Sequence, residues 1–440
     1  MSNSNTALFS PSNFIFPSYN KIAICITIIF FFSMLYIGFF HHSVWIEQDG
    51  IYYYYNGKEF FDGNSSNIQL VGAPLGTPII LETLNKIFEQ PFEIIKGISL
   101  LSGTIIVAIS YFIAKNIFNS KIAIISQLFI AINPKFQFLS FSALNELLPI
   151  SLIISSMYFL TKEQLKNLDF LIIGLLLGIS FSLRYQAIFV VLGIILFLFL
   201  RNKDFRKNFV FAIILISTFI LFISPILVFN YITYDDPLEN DTSFYLLALS
   251  QFQTTEWRES VQNMKNEGLF SIISYDPNLF LENYLFNLFS HNPNKIFNFG
   301  SLDNLSFLPF IPIIGFVTVS LGFLHSINFS KNRKSLIILG ISFLTLLLVI
   351  IAGELSHHYF SIFFISLLAA GIIYLKQIKS NFLPILILSV VIFFSLSIIP
   401  AYRSYHFLFL LLPFSILNSI FFLEFLPKVF QRKNLEVKSN

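Results

Sequence analysis

Long apolar runs separated by short polar segments dominate the chain, and most of these runs approach or exceed the length of a membrane-spanning helix. A backbone in lipid must satisfy its own hydrogen bonds, so such runs predict α-helices. The pattern predicts an all-α polytopic membrane protein with about twelve transmembrane helices, in a range of eleven to thirteen. The predicted spans are 21–40, 93–115, 121–139, 145–160, 168–184, 186–200, 209–232, 307–327, 335–353, 357–375, 382–399 and 405–426.

Two polar segments interrupt this pattern. Residues 75–90 are amphipathic and short, which predicts a helix lying at the external surface, with a half-buried helix as the alternative. Residues 233–306 form the longest polar segment, which is large enough for a lid or amphipathic helices but hardly for an independent domain. The predicted organisation is an N-terminal transmembrane module (1–232), an external loop or lid (233–306), a C-terminal transmembrane module (307–427) and a basic cytoplasmic tail (428–440).

Composition agrees with a membrane protein. Of the 440 residues, 55% are hydrophobic and only 12% are charged, about half the charge of a soluble domain. The mean hydropathy is +0.74. The only cysteine is Cys25, so an internal disulfide and a cysteine-based metal or redox motif are excluded. No nucleic-acid partner is expected.

The distribution of basic residues predicts the orientation. The predicted connections on one side hold 18 of the 27 lysines and arginines, and those on the other side hold 9. The side richer in lysine and arginine is cytoplasmic by the positive-inside rule. Both termini are then expected inside the cell, in a multi-pass protein of the plasma membrane, and the connection after the first helix faces outward.

That first external connection, from Trp45 to Pro78, is the most informative stretch. It places Asp49 next to four consecutive tyrosines, Tyr52 to Tyr55. A carboxylate among aromatic rings at the membrane surface loses part of its hydration, and such a group is a candidate general base. The alternative is a solvated loop with an interfacial belt of tyrosines, which is common at membrane surfaces.

The stretch resembles the first external loop of the GT-C glycosyltransferases. The likeness lies in an acidic residue soon after the first helix, an aromatic run, and a segment of small residues and proline from Gly72 to Pro78. These enzymes, among them protein O-mannosyltransferases and lipid A aminoarabinose transferases, take a sugar from a polyprenyl-phosphate carrier. The resemblance implies that Asp49 is the catalytic base and that Glu47 and Tyr53 belong to the acceptor side of the loop. Many subfamilies have Asp-Glu where this chain has Asp49-Gly50, so the subfamily stays open.

The second external loop offers another acidic residue. Glu146 opens an otherwise apolar helix. A carboxylate near a helix N-terminus is stabilised by the helix dipole, so a capping role is a sufficient explanation for its presence. GT-C enzymes often have an acidic residue here, so the resemblance implies that Glu146 faces the active site and helps to position the acceptor. Where a subfamily uses a divalent metal ion, Glu146 would help to hold it. No cofactor is otherwise implied.

Cations at the external helix ends are candidates for binding the donor phosphate. Arg184 ends the fifth predicted helix, where it could extend toward headgroups or pair two phosphate oxygens. By resemblance, His358 and Tyr359 would contact the same phosphate, although a polar helix end at the interface is the alternative. Arg403 is a further external cation of this kind.

The sequence therefore predicts a glycosyltransferase with a polyprenyl (dolichyl or undecaprenyl) phosphate sugar as donor and a protein or lipid-linked glycan as acceptor. Two alternatives remain open: a lipid-linked glycan flippase or other polytopic carrier, and an envelope polysaccharide polymerase or ligase. A Walker A loop and a GxSxG motif are absent from the sequence, and charged residues hardly occur at the middle of any predicted helix. A Trp-Trp-Asp run is also absent, which argues against the oligosaccharyltransferase branch.

Overall fold

The structure is a computed structural model that describes residues 18–41, 48–68, 74–201, 204–235, 237, 273–274, 276–292, 312–326, 382–398 and 408–430. Regular structure in these residues is entirely helical. In chain order the helices are α1 (Tyr19–Tyr36), α2 (Gln48–Phe61), α3 (Gly76–Phe88), α4 (Pro91–Ile117), α5 (Ser120–Ala131), α6 (Pro134–Phe141), α7 (Leu147–Leu160), α8 (Asn167–Leu183), α9 (Ala187–Arg201), α10 (Phe205–Tyr234), α11 (Pro277–Phe286), α12 (Pro312–Ser326), α13 (Leu383–Leu396) and α14 (Leu411–Ile420).

Several helices are long and apolar enough to cross a bilayer. Among the described residues, four meet this criterion, and a fifth span is possible if a bent pair counts as one; the four are Tyr19–His41, Pro91–Ile117, Phe205–Thr233 and Leu408–Phe430. Shorter apolar helices lie between them. The predicted all-helical multi-pass membrane protein is confirmed. The count of about twelve spans stays a prediction, and the predicted helices 335–353 and 357–375 lie outside the described residues.

The third predicted span is not the single helix expected over 121–139. It is broken into α5 and α6, whose axes differ by 62°. Pro134 lacks a backbone N–H and disfavours helical geometry in the residue before it, so a helix cannot continue through it unstrained. Asn133 begins the new helix, because its Oδ1 accepts a hydrogen bond from the backbone N of Phe136 at 2.9 Å. The break directs α6 toward the loop that contains Glu146.

The core of the N-terminal half lies around α4, which packs against α1, α3, α5, α6 and α7. Val107, Ile113 and Ala114 of α4 are fully buried. Small polar side chains add bonds between helices, which matters because lipid supplies little hydrophobic drive for helix association. For example, Gln127 Nε2 donates to the carbonyl oxygen of Ala23 at 3.0 Å and so joins α5 to α1.

Later helices complete the bundle. α10 packs against α8, α13 against α9, and α14 against both α5 and α12. Within the segment predicted as an external lid, α11 lies against α13: Tyr284 Oη donates to the carbonyl oxygen of Phe394 at 3.3 Å. Burial raises the pKa of the Tyr284 phenol, so this donor stays protonated at neutral pH. The three-part organisation predicted from the sequence stays a prediction.

Candidate active site

A buried ion pair joins two residues that the sequence singled out separately. Arg184 Nη2 donates to Glu146 Oε1, and the two side chains are only 14% and 3% exposed. Glu146 occupies the N-cap position of α7, yet its side chain makes no capping hydrogen bond to that helix. Arg184 is the first residue after α8, in extended conformation, and its backbone N is fixed by a 2.8 Å hydrogen bond to Ser180 O.

This arrangement bears on the alternatives left by the sequence. Glu146 is not a simple helix cap, because its carboxylate is directed at a guanidinium instead. Arg184 does not extend into headgroups, because its side chain is mostly buried against the protein. Removing two charges from water is costly unless they are paired, so each of Glu146 and Arg184 stabilises the buried charge of the other. The structure thus holds a cation and a carboxylate in fixed positions where α7 begins and α8 ends.

Asp49 lies in the first turn of a helix, α2, within the stretch predicted as the first external connection. The buried positions of α2 recur every three or four residues, which is the spacing of one helix face. Tyr53 is 5% exposed and packs with Leu81, Ile95 and Ala143, whereas Tyr55 is 57% exposed. The tyrosines therefore do not form one interfacial belt.

The packing of Tyr53 relates the helix that carries Asp49 to the loop of the ion pair. Asp49 precedes Tyr53 by four residues and is half-buried on the same face of α2. Tyr53 belongs to the same buried apolar cluster as Ala143, which lies in the same loop as Glu146. The face of α2 that carries Asp49 thus shares a buried cluster with the loop that carries the buried ion pair. The observed burial of Tyr53 favours a role in holding α2 over contact with an acceptor.

Lys96 is a second buried cation at this end of the bundle, and the sequence pattern alone did not predict it as a site residue. Its side chain is 6% exposed, and its Nζ lies 3.2 Å from Glu93 Oε1. On the same face of α4, Ser99 Oγ donates to the carbonyl oxygen of Leu144 at 2.8 Å. Lys96 therefore flanks the loop that ends in Glu146. A lysine inside the second turn of an apolar helix was the available signal for it.

The structure does not bring every predicted site residue into view. Glu47, His358, Tyr359 and Arg403 lie outside the described residues. In the part of the chain that the structure describes, no group of three His, Cys, Asp or Glu side chains is placed to hold a metal ion. Glu146, the residue expected to help hold such an ion, has a guanidinium as its partner.

A family model describes part of this region. Residues 73–229 match the model of the dolichyl-phosphate-mannose-protein mannosyltransferases. The match begins next to α3, includes both Glu146 and Arg184, and does not reach Asp49. No curated protein sequence matches the chain.

Two solved structures illustrate the fold. The oligosaccharyltransferase AglB from Archaeoglobus fulgidus, solved with an inhibitory peptide and a dolichol-phosphate, aligns over 96% of this chain and 52% of its own, with a TM-score of 0.50 and 12% identity. ArnT from Cupriavidus metallidurans, bound to undecaprenyl phosphate, aligns over 91% of this chain and 59% of its own, with a TM-score of 0.46 and 11% identity. This chain thus spans between half and three fifths of the length of these two proteins. Residues 73–229 of this multi-pass helical membrane protein thus match the mannosyltransferase family model, and the fold of the chain is similar to that of AglB.

Proposed function

We propose that this protein transfers a sugar from a polyprenyl (dolichyl or undecaprenyl) phosphate carrier to an acceptor hydroxyl on the external face of the membrane, with inversion at the anomeric carbon. The observation that carries the proposal is the buried Glu146–Arg184 pair, in which Glu146 ends a loop that shares a buried cluster with Tyr53 on the Asp49 face of α2. A base on one side and fixed cations on the other are the two parts that such a displacement needs.

In this mechanism Asp49 takes the proton from the acceptor hydroxyl. The acceptor oxygen attacks the anomeric carbon in line, and the bond to the lipid phosphate breaks on the opposite face. Asp49 is suited to this task because it is a half-buried carboxylate in the first turn of α2, on the same helix face as the buried Tyr53. The inversion follows from a single in-line displacement.

Negative charge grows on the phosphate as the sugar leaves, and fixed cations stabilise it. A guanidinium has five N–H donors, so one arginine can hold a carboxylate and a phosphate oxygen together. We assign this role to Arg184, oriented by Glu146, and assign a supporting role to Lys96. His358, Tyr359 and Arg403 are proposed as further phosphate contacts, and Glu47 as a residue of the acceptor side.

The site is proposed to face outward in the plasma membrane, with both termini cytoplasmic, on the distribution of lysine and arginine. Residues 233–306 are proposed to cover it as a lid. A mostly apolar protein suits a donor whose isoprenoid tail must lie between helices in the bilayer. The acceptor is a protein or a lipid-linked glycan.

The proposal is tested with the full chain purified in detergent with native-like lipid. It is supplied with a panel of radiolabelled polyprenyl-phosphate sugars, and released polyprenyl phosphate and transferred sugar are measured. We expect turnover of at least one donor, with inverted configuration in the product. Donor translocation in proteoliposomes without cleavage of the sugar–phosphate bond would contradict the proposal and support a flippase or carrier. A retained anomeric configuration would contradict the single displacement.

A further inference from the structure

Three consecutive residues, Gly76, Thr77 and Pro78, each contact a different part of the proposed site; we call them the Gly76–Pro78 junction. A Cβ atom at Gly76 would collide with the carbonyl oxygen of Ser182, so only glycine permits this approach to α8. Thr77 Oγ1 accepts a hydrogen bond from Asn145 Nδ2. The carbonyl oxygen of Pro78 would lie 2.5 Å from a Cβ at Gly57, which brings α3 against α2.

Each contact lies close in sequence to a residue of the proposed mechanism. Ser182 is two residues before Arg184, and Asn145 directly precedes Glu146. Gly57 follows Asp49 by two helical turns, on the same buried face of α2. The junction therefore ties the helix that carries the base to both members of the ion pair.

The junction is sealed from solvent. Thr77 and Asn145 are 3% and 2% exposed, and Gly76 and Pro78 are also buried. A buried polar pair fixes its geometry more strictly than apolar packing, because misalignment leaves a donor or acceptor unsatisfied. Their hydrogen bond links chain segments 68 residues apart.

We propose that Thr77 and Asn145 are positioning residues, which set the separation between Asp49 and the Glu146–Arg184 pair through their hydrogen bond. This inference rests on the proposed function. An attacking oxygen displaced by about 1 Å costs roughly a hundredfold in rate. Loosening this bond should therefore slow the chemical step more than it weakens donor binding.

The experiment compares Thr77→Val, which removes the hydroxyl at nearly constant volume, with Thr77→Ser, which keeps it. Thr83→Val is the matched control, since Thr83 lies on the same helix, is exposed, and hydrogen bonds only within α3, to Ile79 O at 2.7 Å. We expect Thr77→Val to lower kcat roughly 10- to 100-fold with the donor KM changed less than about threefold. Thr77→Ser and Thr83→Val should stay within about twofold of wild type.

Asn145→Leu completes the test, because Thr77→Val and Asn145→Leu remove the same bond. The double variant should be no slower than the worse single variant, so the effects on kcat should not multiply. Multiplying effects, an unchanged kcat in Thr77→Val, or a loss of activity that equals its loss of folded protein would each overturn the inference. If wild type turns over a donor in that case, the proposed function survives.

A measurement that does not depend on catalysis separates failure of this inference from failure of the proposed function. In a Cys25→Ser background, spin labels at Tyr55→Cys on α2 and Ile132→Cys at the end of α5 report the distance between the base-carrying helix and the bundle; both positions are exposed. We expect Thr77→Val to broaden this distance distribution and Thr83→Val to leave it unchanged. An unchanged distribution in Thr77→Val overturns the inference even if no donor has been found.

Discussion

Removing either partner of the Glu146–Arg184 pair should destabilise the protein, but with different dependence on pH. The variant Arg184→Met leaves a carboxylate that is 3% exposed without its guanidinium. A carboxylate can avoid this penalty by taking up a proton. An ordinary glutamic acid titrates near pH 4.3, so neutralising one costs about 3.7 kcal/mol at pH 7 and about 1 kcal/mol at pH 5. These values are upper limits for the penalty that burial of the charged Glu146 carboxylate imposes in this variant.

The direction of the pH dependence follows from the protonation of Glu146 in the folded and unfolded states of Arg184→Met. Below about pH 4.3 the carboxyl is protonated in both the folded and the unfolded chain, and no penalty arises. As the pH rises, the unfolded chain ionises first, and the folded state loses stability by up to about 1.4 kcal/mol per pH unit. Arg184→Met should therefore be least stable, relative to wild type, near neutral pH and should recover by roughly 2 to 3 kcal/mol at pH 5.

Glu146→Met should not recover in this way. Arginine stays protonated throughout this range, so the Arg184 guanidinium cannot lose its charge as the pH changes. Loss of one partner of a buried pair typically costs about 3 to 5 kcal/mol. The double variant of Glu146→Met and Arg184→Met has neither charge of this pair and should be more stable than Glu146→Met alone.

The assay is equilibrium unfolding in mixed detergent at pH 5 and pH 7. Lys58→Met is the control, since Lys58 is an exposed lysine on α2 and its loss should cost no more than about 0.5 kcal/mol. Equal destabilisation of Arg184→Met at both pH values, or a cost of Glu146→Met no larger than that of Lys58→Met, would refute the reasoning.

Three further predictions concern other described residues. Lys96→Met should raise the donor KM roughly tenfold, because it removes a cation from the proposed phosphate site. Lys86→Met, which replaces an exposed lysine, should leave the donor KM unchanged in the same steady-state assay. Equal KM values for the two variants would remove Lys96 from the site. Gly57→Ala should destabilise the protein by about 1 to 3 kcal/mol, because the new Cβ would collide with the carbonyl oxygen of Pro78. A Cβ at Gly97 would meet nothing within 4 Å, so Gly97→Ala should stabilise α4 by about 0.5 to 1 kcal/mol. Unfolding curves that show the reverse order would contradict the packing of α2 on α3. In a Cys25→Ser background, Lys58→Cys should react with a membrane-impermeant thiol reagent on intact cells and Lys428→Cys should not, and the opposite labelling would invert the proposed topology.

The helical framework was predictable because its signal is local. An apolar run of about twenty residues predicts a span without knowledge of its neighbours, and the amphipathic pattern of 75–90 predicted α3 almost to its ends, Gly76–Phe88. Asn133-Pro134 is a helix-boundary signal within the predicted span 121–139, but the 62° angle of the break could not be predicted from it. That angle depends on how α6 packs against α4.

The candidate site was predictable residue by residue but not as an arrangement. Glu146 and Arg184 were both singled out, yet their pairing spans 38 residues and depends on how α7 and α8 pack. The buried face of α2 could not be predicted, because four consecutive tyrosines show no hydrophobic periodicity. The burial of Tyr53 and the exposure of Tyr55 come from contacts with α3 and α4. Lys96 escaped notice because a lysine near a helix end normally extends to the interface.

Replacement of the base by its amide tests the central claim most directly. Asp49→Asn keeps the shape of the side chain and removes its ability to take a proton. Asp62→Asn, an exposed carboxylate just after the end of α2, is the matched control. In single-turnover transfer from the donor that wild type uses, the account predicts a rate at least about a hundredfold lower for Asp49→Asn, with donor binding and the thermal melt nearly unchanged, and a normal rate for Asp62→Asn. Transfer by Asp49→Asn at the wild-type rate would contradict the assignment of Asp49 as the base.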